Sequence, residues 1–376
     1  MSAAVAERPI SDRNRQENMS MEVREQRKRR TMRLGKYKIL DRVASGGMGT
    51  IYHGIDGESG REYALKVLTA ELAENPTTLE RFAREADAAS RLRHPNIVSV
   101  YKRGKKDGTH YIVMEYVDGI DLHRFVNGAG PMQTDEVIEV LIQAARALAH
   151  AHANDIVHRD IKPSNFILTR HNGHRVVKLT DFGLAVDRSD PNESHLTKPG
   201  TTIGTVDYMA PEQAKGRNLT DSRSDIYALG CTAYFMLTGQ APFPEGSIPE
   251  KLYKHVHVQP VDPRELNPSI PDDMITVLGR MMEKLPENRY QSMEELLADL
   301  EQMQKARQGQ GLDIFAMLTA KETVAPARSL PFQHLHTAIE EDDSDLAPIP
   351  PPIWLILAGA VAFVAVIGLV LMVWWQ

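Results

Sequence analysis

Cysteine is almost missing from this 376-residue chain: Cys231 stands alone, which excludes an internal disulfide and a thiolate metal site and points to a reducing compartment, by default the cytoplasm. No charge of one sign dominates. Lys and Arg number 44 against 50 Asp and Glu, and the formal net charge of -6 argues against a nucleic-acid partner. Histidines fall in pairs, His150 with His152, His255 with His257 and His334 with His336, yet no ligand cluster accompanies any of them. No protein-only metal site is expected, and these histidines read as ordinary helix or surface residues.

Runs free of both charge and proline and long enough to cross a bilayer are missing too, except in one place. Ile353 to Trp374 is 22 residues without charge or proline, and as a helix it measures roughly 33 Å, enough to cross a bilayer. Trp354, Trp374 and Trp375 suit an interfacial aromatic belt. The expectation is a single transmembrane helix over 353–375 acting as a tail anchor, since only Gln376 comes after it. It is not a signal peptide, because it lies at the wrong end. No Lys or Arg occurs after Arg328, and Glu340, Glu341, Asp342, Asp343 and Asp345 precede the span, so flanking charge gives no orientation.

Composition divides the rest. Residues 1–36 hold ten Lys or Arg against five Asp or Glu with almost no apolar periodicity, which reads as a basic disordered arm. A solvated tail is its plain reading, and attraction to anionic lipid is the sharper one. Residues 304–352 turn polar, then acidic, then Pro-rich, as a flexible linker does; its r.m.s. reach is about 35 to 42 Å.

The chemistry lies between them. VHRDIKPSNFIL, Val157 to Leu168, is succeeded by Asp181-Phe182-Gly183. Within it Asp160 can accept a proton from a hydroxyl and orient that hydroxyl, Lys162 can neutralise a migrating phosphoryl group, and Asn165 with Asp181 offers hard oxygens to Mg²⁺. Phosphoryl transfer asks for this combination, because it needs positioning and charge neutralisation more than covalent help.

Upstream, the stretches YKILDRVA, TIYHGIDG and REYALKVL read as strands of a twisted antiparallel sheet. The first turn, Ser45-Gly46-Gly47-Met48-Gly49, is Gly-rich, which lets backbone N–H groups approach phosphate oxygens. Lys66 lies on the next strand but one, 17 residues after Gly49. The helix TTLERFAREADAASRL has an apolar stripe of Leu79, Phe82, Ala83, Ala86 and Ala89, with Glu85 at its edge, placed to turn towards Lys66.

In these motifs and their order, residues 37–303 resemble the protein kinase family, and more narrowly the eukaryotic-like Ser/Thr kinases of bacteria, whose loop is GxGGMGxVY. The resemblance implies an α+β fold, a bilobal protein kinase fold with a β-rich N-lobe (37–116) and a helical C-lobe (117–303), plus one C-terminal transmembrane helix. It implies ATP and Mg²⁺ as cofactors. The nucleotide would lie against Val43, Ala44, Ser45, Gly46, Gly47, Met48, Gly49 and Ile51. This chain departs from the family at Ala44, where the first loop glycine belongs, and at Ile51, where valine is usual. Lys66 would contact the α and β phosphates with Glu85 as its partner. Met114 would be the gatekeeper, Glu115 to Val117 would offer backbone to adenine, and Asp121 would touch the ribose.

The same resemblance makes His158 and Phe182 a packing pair, Asp225 the brace of the catalytic loop, and Arg289 the partner of Glu212. Cys231 reads as core. Lys162 in HRDIKPSN and Gly204-Thr205 before Tyr208-Met209-Ala210-Pro211-Glu212 imply serine or threonine acceptors. Arg159 before the aspartate implies a phosphorylated activation loop, at Thr201 or Thr202, while Thr205 reads as a substrate-platform residue. A domain that consumes ATP should face the cytosol. The expectation is therefore a membrane-tethered Ser/Thr kinase acting on protein substrates, with a membrane-anchored pseudokinase scaffold as the alternative; tethering would favour transient homodimers.

Overall fold

In EYALKVL the apolar residues occupy both alternating sets, so this strand needs cover on both faces of a sheet. The computed structural model, which describes residues 32–46, 49–182, 206–216 and 220–320, supplies both covers. Strands β1 (Arg33–Leu34), β2 (Tyr37–Gly46), β3 (Gly49–Asp56), β4 (Glu62–Leu68), β5 (Val100–Lys106) and β6 (Thr109–Glu115) form one sheet. Its order is β1-β2-β3-β4-β6-β5, antiparallel throughout. On one face Leu65 and Val67 pack with Leu34, Tyr37, Ile39, Tyr111 and Val113. On the other, Ala64, Leu68, Ile112 and Met114 meet Phe82, Ala86 and Ala89 of a helix.

After a single turn, α1 (Ala70–Ala73), comes that helix, α2 (Pro76–Ala89). The sequence starts it well: Asn75 accepts a hydrogen bond from Thr78 N–H and Pro76 fills the first turn. The sheet begins earlier than the expected boundary at Tyr37. Leu34 pairs with Tyr37 and is buried, and a two-residue strand carries no alternation for the sequence to reveal.

Past β6 a short connector leads to β7 (Ile120–Asp121), α3 (Leu122–Ala129) and α4 (Thr134–His152). Strands β8 (Phe166–His171) and β9 (His174–Leu179) join β7 in a second sheet. A side chain at Gly119 would meet the Leu168 carbonyl at 2.4 Å, so the connector can pass there only as glycine. Helices α5 (Pro211–Lys215), α6 (Arg223–Thr238), α7 (Ile248–His257), α8 (Pro263–Leu266), α9 (Asp272–Met281) and α10 (Met293–Ala320) complete the lobe. Every residue of α6 after Arg223 is buried, as expected of a helix apolar all round, and Cys231 lies among them.

Helix α10 runs 17 residues beyond the expected linker start at 304, to Ala320. Among its described side chains, Met293, Leu296, Leu300 and Met303 form the buried apolar stripe. Charge ties down the next turn of the helix: Arg307 reaches Asp135 at 3.2 Å and Asp273 at 2.8 Å. Two compact units divide the chain, Met1–Leu318 and Thr319–Gln376. Among the described residues no helix is long and apolar enough to cross a membrane. The basic arm up to Thr31 and the apolar segment 353–375 lie outside the described residues.

Candidate active site

Strand β4 presents Lys66 on the face that carries Ala64 and Leu68, opposite Ile51 of β3 and Ile112 of β6. From the far lobe Asp181 comes up behind β9, and its Oδ1 lies 3.0 Å from Lys66 Nζ. Burial alone would push the Asp181 carboxyl up, but this ammonium holds it below the usual carboxylate range. Asp181 stands at φ 60°, a left-handed conformation that costs a non-glycine residue about 1–3 kcal/mol and must be held by its surroundings. Phe182 next to it is buried against the His158 ring, centroids 4.7 Å apart.

The catalytic loop is fixed from beneath. Asp225 of α6, wholly buried, accepts hydrogen bonds from His158 N–H (2.9 Å), Arg159 N–H (2.8 Å) and His152 Nε2–H (2.8 Å). Burial would raise its carboxyl, and these donors hold it low instead. The two backbone bonds lock Arg159 at φ 64°, while its carbonyl accepts from Gln213 Nε2 at 3.0 Å. His158 Nε2–H donates to the Thr180 carbonyl (3.0 Å), which leaves Nδ1 to accept from Asp160 N–H (3.3 Å). That assigns the tautomer.

Asp160 therefore stands on a rigid base. Lys162 Nζ lies 3.0 Å from its Oδ1 and 2.8 Å from its Oδ2. Asn165 Nδ2 donates to the Asp160 carbonyl (2.7 Å) and to Oδ2 (3.2 Å), so the amide oxygen of Asn165 turns the other way. Thr180 N–H in turn bonds the Asn165 carbonyl at 2.9 Å, which joins the loop to the segment that carries Asp181. The oxygen of Asn165 and the carboxylate of Asp181 are the hard donors a Mg²⁺ ion takes, and two protein ligands are what it needs when phosphates and water supply the others. Among the described residues no group of three or more His, Cys, Asp or Glu gathers as a metal site.

The Gly-rich hairpin closes the site above. Gly46 and Gly49 are register partners, with Ser45 opposite Thr50 and Ala44 opposite Ile51. A Cβ on Gly49 would lie 2.1 Å from the Val67 carbonyl, whereas one on Gly46 would meet nothing within 4 Å. Protein packing demands glycine at the first position and not at the second. Gly47 and Met48 lie outside the described residues, as do the Glu85 side chain, Thr201, Thr202 and Thr205. Val43 is exposed.

At the connector Met114 is buried and walls a cavity of about 20 Å³, with Lys66, Asp181 and Phe182 across from it. That is room for about one water. Glu115 is held by Lys178 Nζ at 2.6 Å, and its own carboxylate accepts from Ser99 N–H at 3.1 Å. Val117 is partly buried in the connector, and Asp121 caps α3 through Arg124 N–H at 2.9 Å. Two contributors are not legible in the sequence. His152, which reads there as an ordinary helix residue, is a donor to Asp225, and Lys178 fixes Glu115; neither pairing leaves a local pattern, since 73 and 63 positions separate the partners.

The likeness to known proteins agrees with this geometry. The family model for the protein kinase domain matches residues 37–300. Serine/threonine-protein kinase PrkC of Bacillus subtilis is 40% identical over 266 residues, 71% of this chain and 40% of that protein. PknB of Mycobacterium tuberculosis is 40% identical over 269 residues, 70% of this chain and 42% of that protein. The match to PknB of Mycolicibacterium smegmatis, at 36% identity, takes in 88% of this chain and 54% of that one. The chain thus spans about two fifths to a half of the length of the curated relatives it matches. A crystal structure of the Mycobacterium tuberculosis PknI kinase domain superposes with a TM-score of 0.56 at 28% identity, covering 72% of this chain and 98% of that one. With a matched domain over most of its length and a lysine, two aspartates and an asparagine converging between two lobes, the chain belongs to the protein kinase family, and its relatives are serine/threonine-protein kinases.

Proposed function

We propose that this chain is a membrane-tethered serine/threonine kinase that transfers the γ-phosphoryl group of ATP to hydroxyls of protein substrates and of its own activation loop. The observation that carries the reading is the 3.0 Å contact between Lys66 and Asp181 above a catalytic loop in which Asp160, Lys162 and Asn165 are already bonded to one another. Lys66 is placed to take phosphate oxygens, and Asp160 to accept the proton of an incoming hydroxyl while Lys162 offsets charge beside it. Asn165 and Asp181 would hold Mg²⁺, which supplies charge neutralisation at the terminal phosphates. No motif residue whose loss would silence a kinase is replaced here, which favours activity over a scaffold.

Support for the tether lies in the 22 uncharged residues Ile353 to Trp374 and in the likeness to one PknB that continues past the kinase domain. A cytosolic kinase domain follows from the need for ATP. Thr201 or Thr202 are the expected phosphosites, with Arg159 as the group that would grip the phosphate. Transient pairing at the membrane would let one copy phosphorylate another.

The deciding experiment incubates the full-length protein, in detergent or vesicles, with Mg²⁺ and labelled ATP beside Asp160→Asn. Loss of a general base costs roughly 10²–10⁴-fold in rate, so label should all but vanish from the variant; equal label on both would refute the assignment. Mapping of the label tests the acceptors, and vesicle flotation with and without residues 353–375 tests the tether.

A further inference from the structure

One buried ring in the N-lobe takes no part in the machinery just described. His53 of β3 stands in register with Ala64 of β4, and Ala64 with Met114 of β6, so all three lie on the sheet face that also carries Lys66. The His53 ring lies flat on the ring of Tyr116, centroids 3.8 Å apart and planes 7° from parallel. Tyr116 is the first residue after β6, where the connector between the lobes begins.

Little but this stack holds the ring. His53 is only 9% exposed, yet its Nδ1 is 3.6 Å from Asp41 and its Nε2 3.8 Å from Glu62, too far for hydrogen bonds. Nε2 is buried with no hydrogen-bond partner among the described residues. The other end of the connector is fixed by different means: β7 pairs with β8, Gly119 passes where any Cβ would meet the Leu168 carbonyl, and Asp121 caps α3. Glu115 is held in the sheet by its pairing with Tyr63 and by Lys178, so the connector proper starts at Tyr116, and at that end the His53 ring is what the Tyr116 ring rests on.

We propose that His53 is a positioning residue for the nucleotide: by stacking on Tyr116 it sets how far the connector backbone stands from β4, and so the affinity for the adenine ring, while leaving phosphoryl transfer alone. This rests on the kinase reading above. A flat aromatic ring is what the place requires, and the histidine nitrogens are incidental to it.

The test uses full-length protein and reads Kd for Mg-ADP by calorimetry together with KM for ATP and kcat. His53→Ala should weaken ADP binding and raise KM by about 2- to 12-fold, the range an aromatic pair accounts for, with kcat within about twofold. His53→Phe should bind ADP as well as the parent, because the stack survives and a buried unpartnered nitrogen is gone. Tyr116→Ala should weaken ADP binding as much as His53→Ala does, and the double replacement should add nothing further to that loss. Unchanged Kd in His53→Ala, a phenylalanine variant as weak as alanine, or additive losses would each overturn the proposal. If His53→Ala proves too unstable to assay, the His53→Phe and Tyr116→Ala comparison still decides. ADP binding does not require transfer, so a parent that binds ADP but labels nothing fails the activity and not this proposal, whereas a parent that binds no nucleotide sinks both.

Discussion

The guanidinium of Arg289 meets the carboxylate of Glu212 in two parallel hydrogen bonds of 2.7 and 2.8 Å, in a place neither group shares with solvent. Ser224 Oγ adds a third donor to Glu212 at 2.6 Å, and the remaining Arg289 N–H groups go to the carbonyls of Glu283, Arg223 and Lys284. The planar group also lies over the Tyr227 ring, 4.9 Å from its centroid. Helix α5 is thereby fastened to α6 and to the chain entering α10.

Removing one partner leaves the other charged and buried, which costs about 3–5 kcal/mol. Arg289→Ala should lose that much in urea unfolding, and Arg289→Lys should recover little of it, since an ammonium cannot reproduce the fork or the carbonyl contacts. A loss below about 1 kcal/mol would contradict the pairing.

Asp225 does for the catalytic loop what Glu212 does for α5. Asp225→Asn exchanges one acceptor oxygen for an N–H facing other donors, so about 1–3 kcal/mol of stability should go. The strained backbone at Arg159 loses its restraint at the same time, and Asp160 is the next residue. kcat should therefore drop by about tenfold or more while KM for ATP stays within a few-fold, as expected when an aligned group moves by a fraction of an ångström. A parental kcat in this variant would show that the loop holds its shape without the brace.

The two described glycines of the Gly-rich hairpin should separate in their effects. Gly49→Ala drives a Cβ into the backbone of β4 and should lower the melting temperature by several degrees. Gly46→Ala has open space around it, so the melting temperature should hold while ATP binding weakens. Equal melting temperatures for the two variants would mean that the hairpin yields more easily than its contacts indicate.

His255 gives the fold an acid-side weakness. Burial, with the Lys284 ammonium nearby, pushes its imidazole down to about 3, and Tyr227 Oη lies 2.9 Å from Nδ1. The folded value is below the unfolded one, so the unfolded chain takes up a proton that the native protein refuses. Stability should then fall as pH drops below about 6.5, by about 1.4 kcal/mol per unit, until the folded group titrates. Urea midpoints at pH 7.5, 6.5 and 5.5 should show that slope shrinking in His255→Gln. A residual slope belongs to His94 and His110, which burial also lowers; an undiminished slope would clear His255.

The charge of Cys231 is not an issue for such experiments. Burial pushes its thiol up to about 12, so it stays protonated and inert across the working range.

What the sequence determined by itself is whatever short-range chemistry writes in order: the two-sided apolar run of β4, the buried helix α6, the Gly-rich turn, and the spacing of Asp160, Lys162, Asn165 and Asp181, since a loop that must hold phosphate and metal tolerates few residue types at each step. Only the tertiary structure decided the meetings between distant segments. Lys66 and Asp181 are 115 positions apart, His152 and Asp225 73, His53 and Tyr116 63, and no periodicity couples residues at such separations. The end elements extend past the expected bounds for two reasons: Leu34 pairs with Tyr37 in a strand too short to show alternation, and Arg307 of α10 bonds to Asp135 and Asp273, partners that arrive only when the chain has folded.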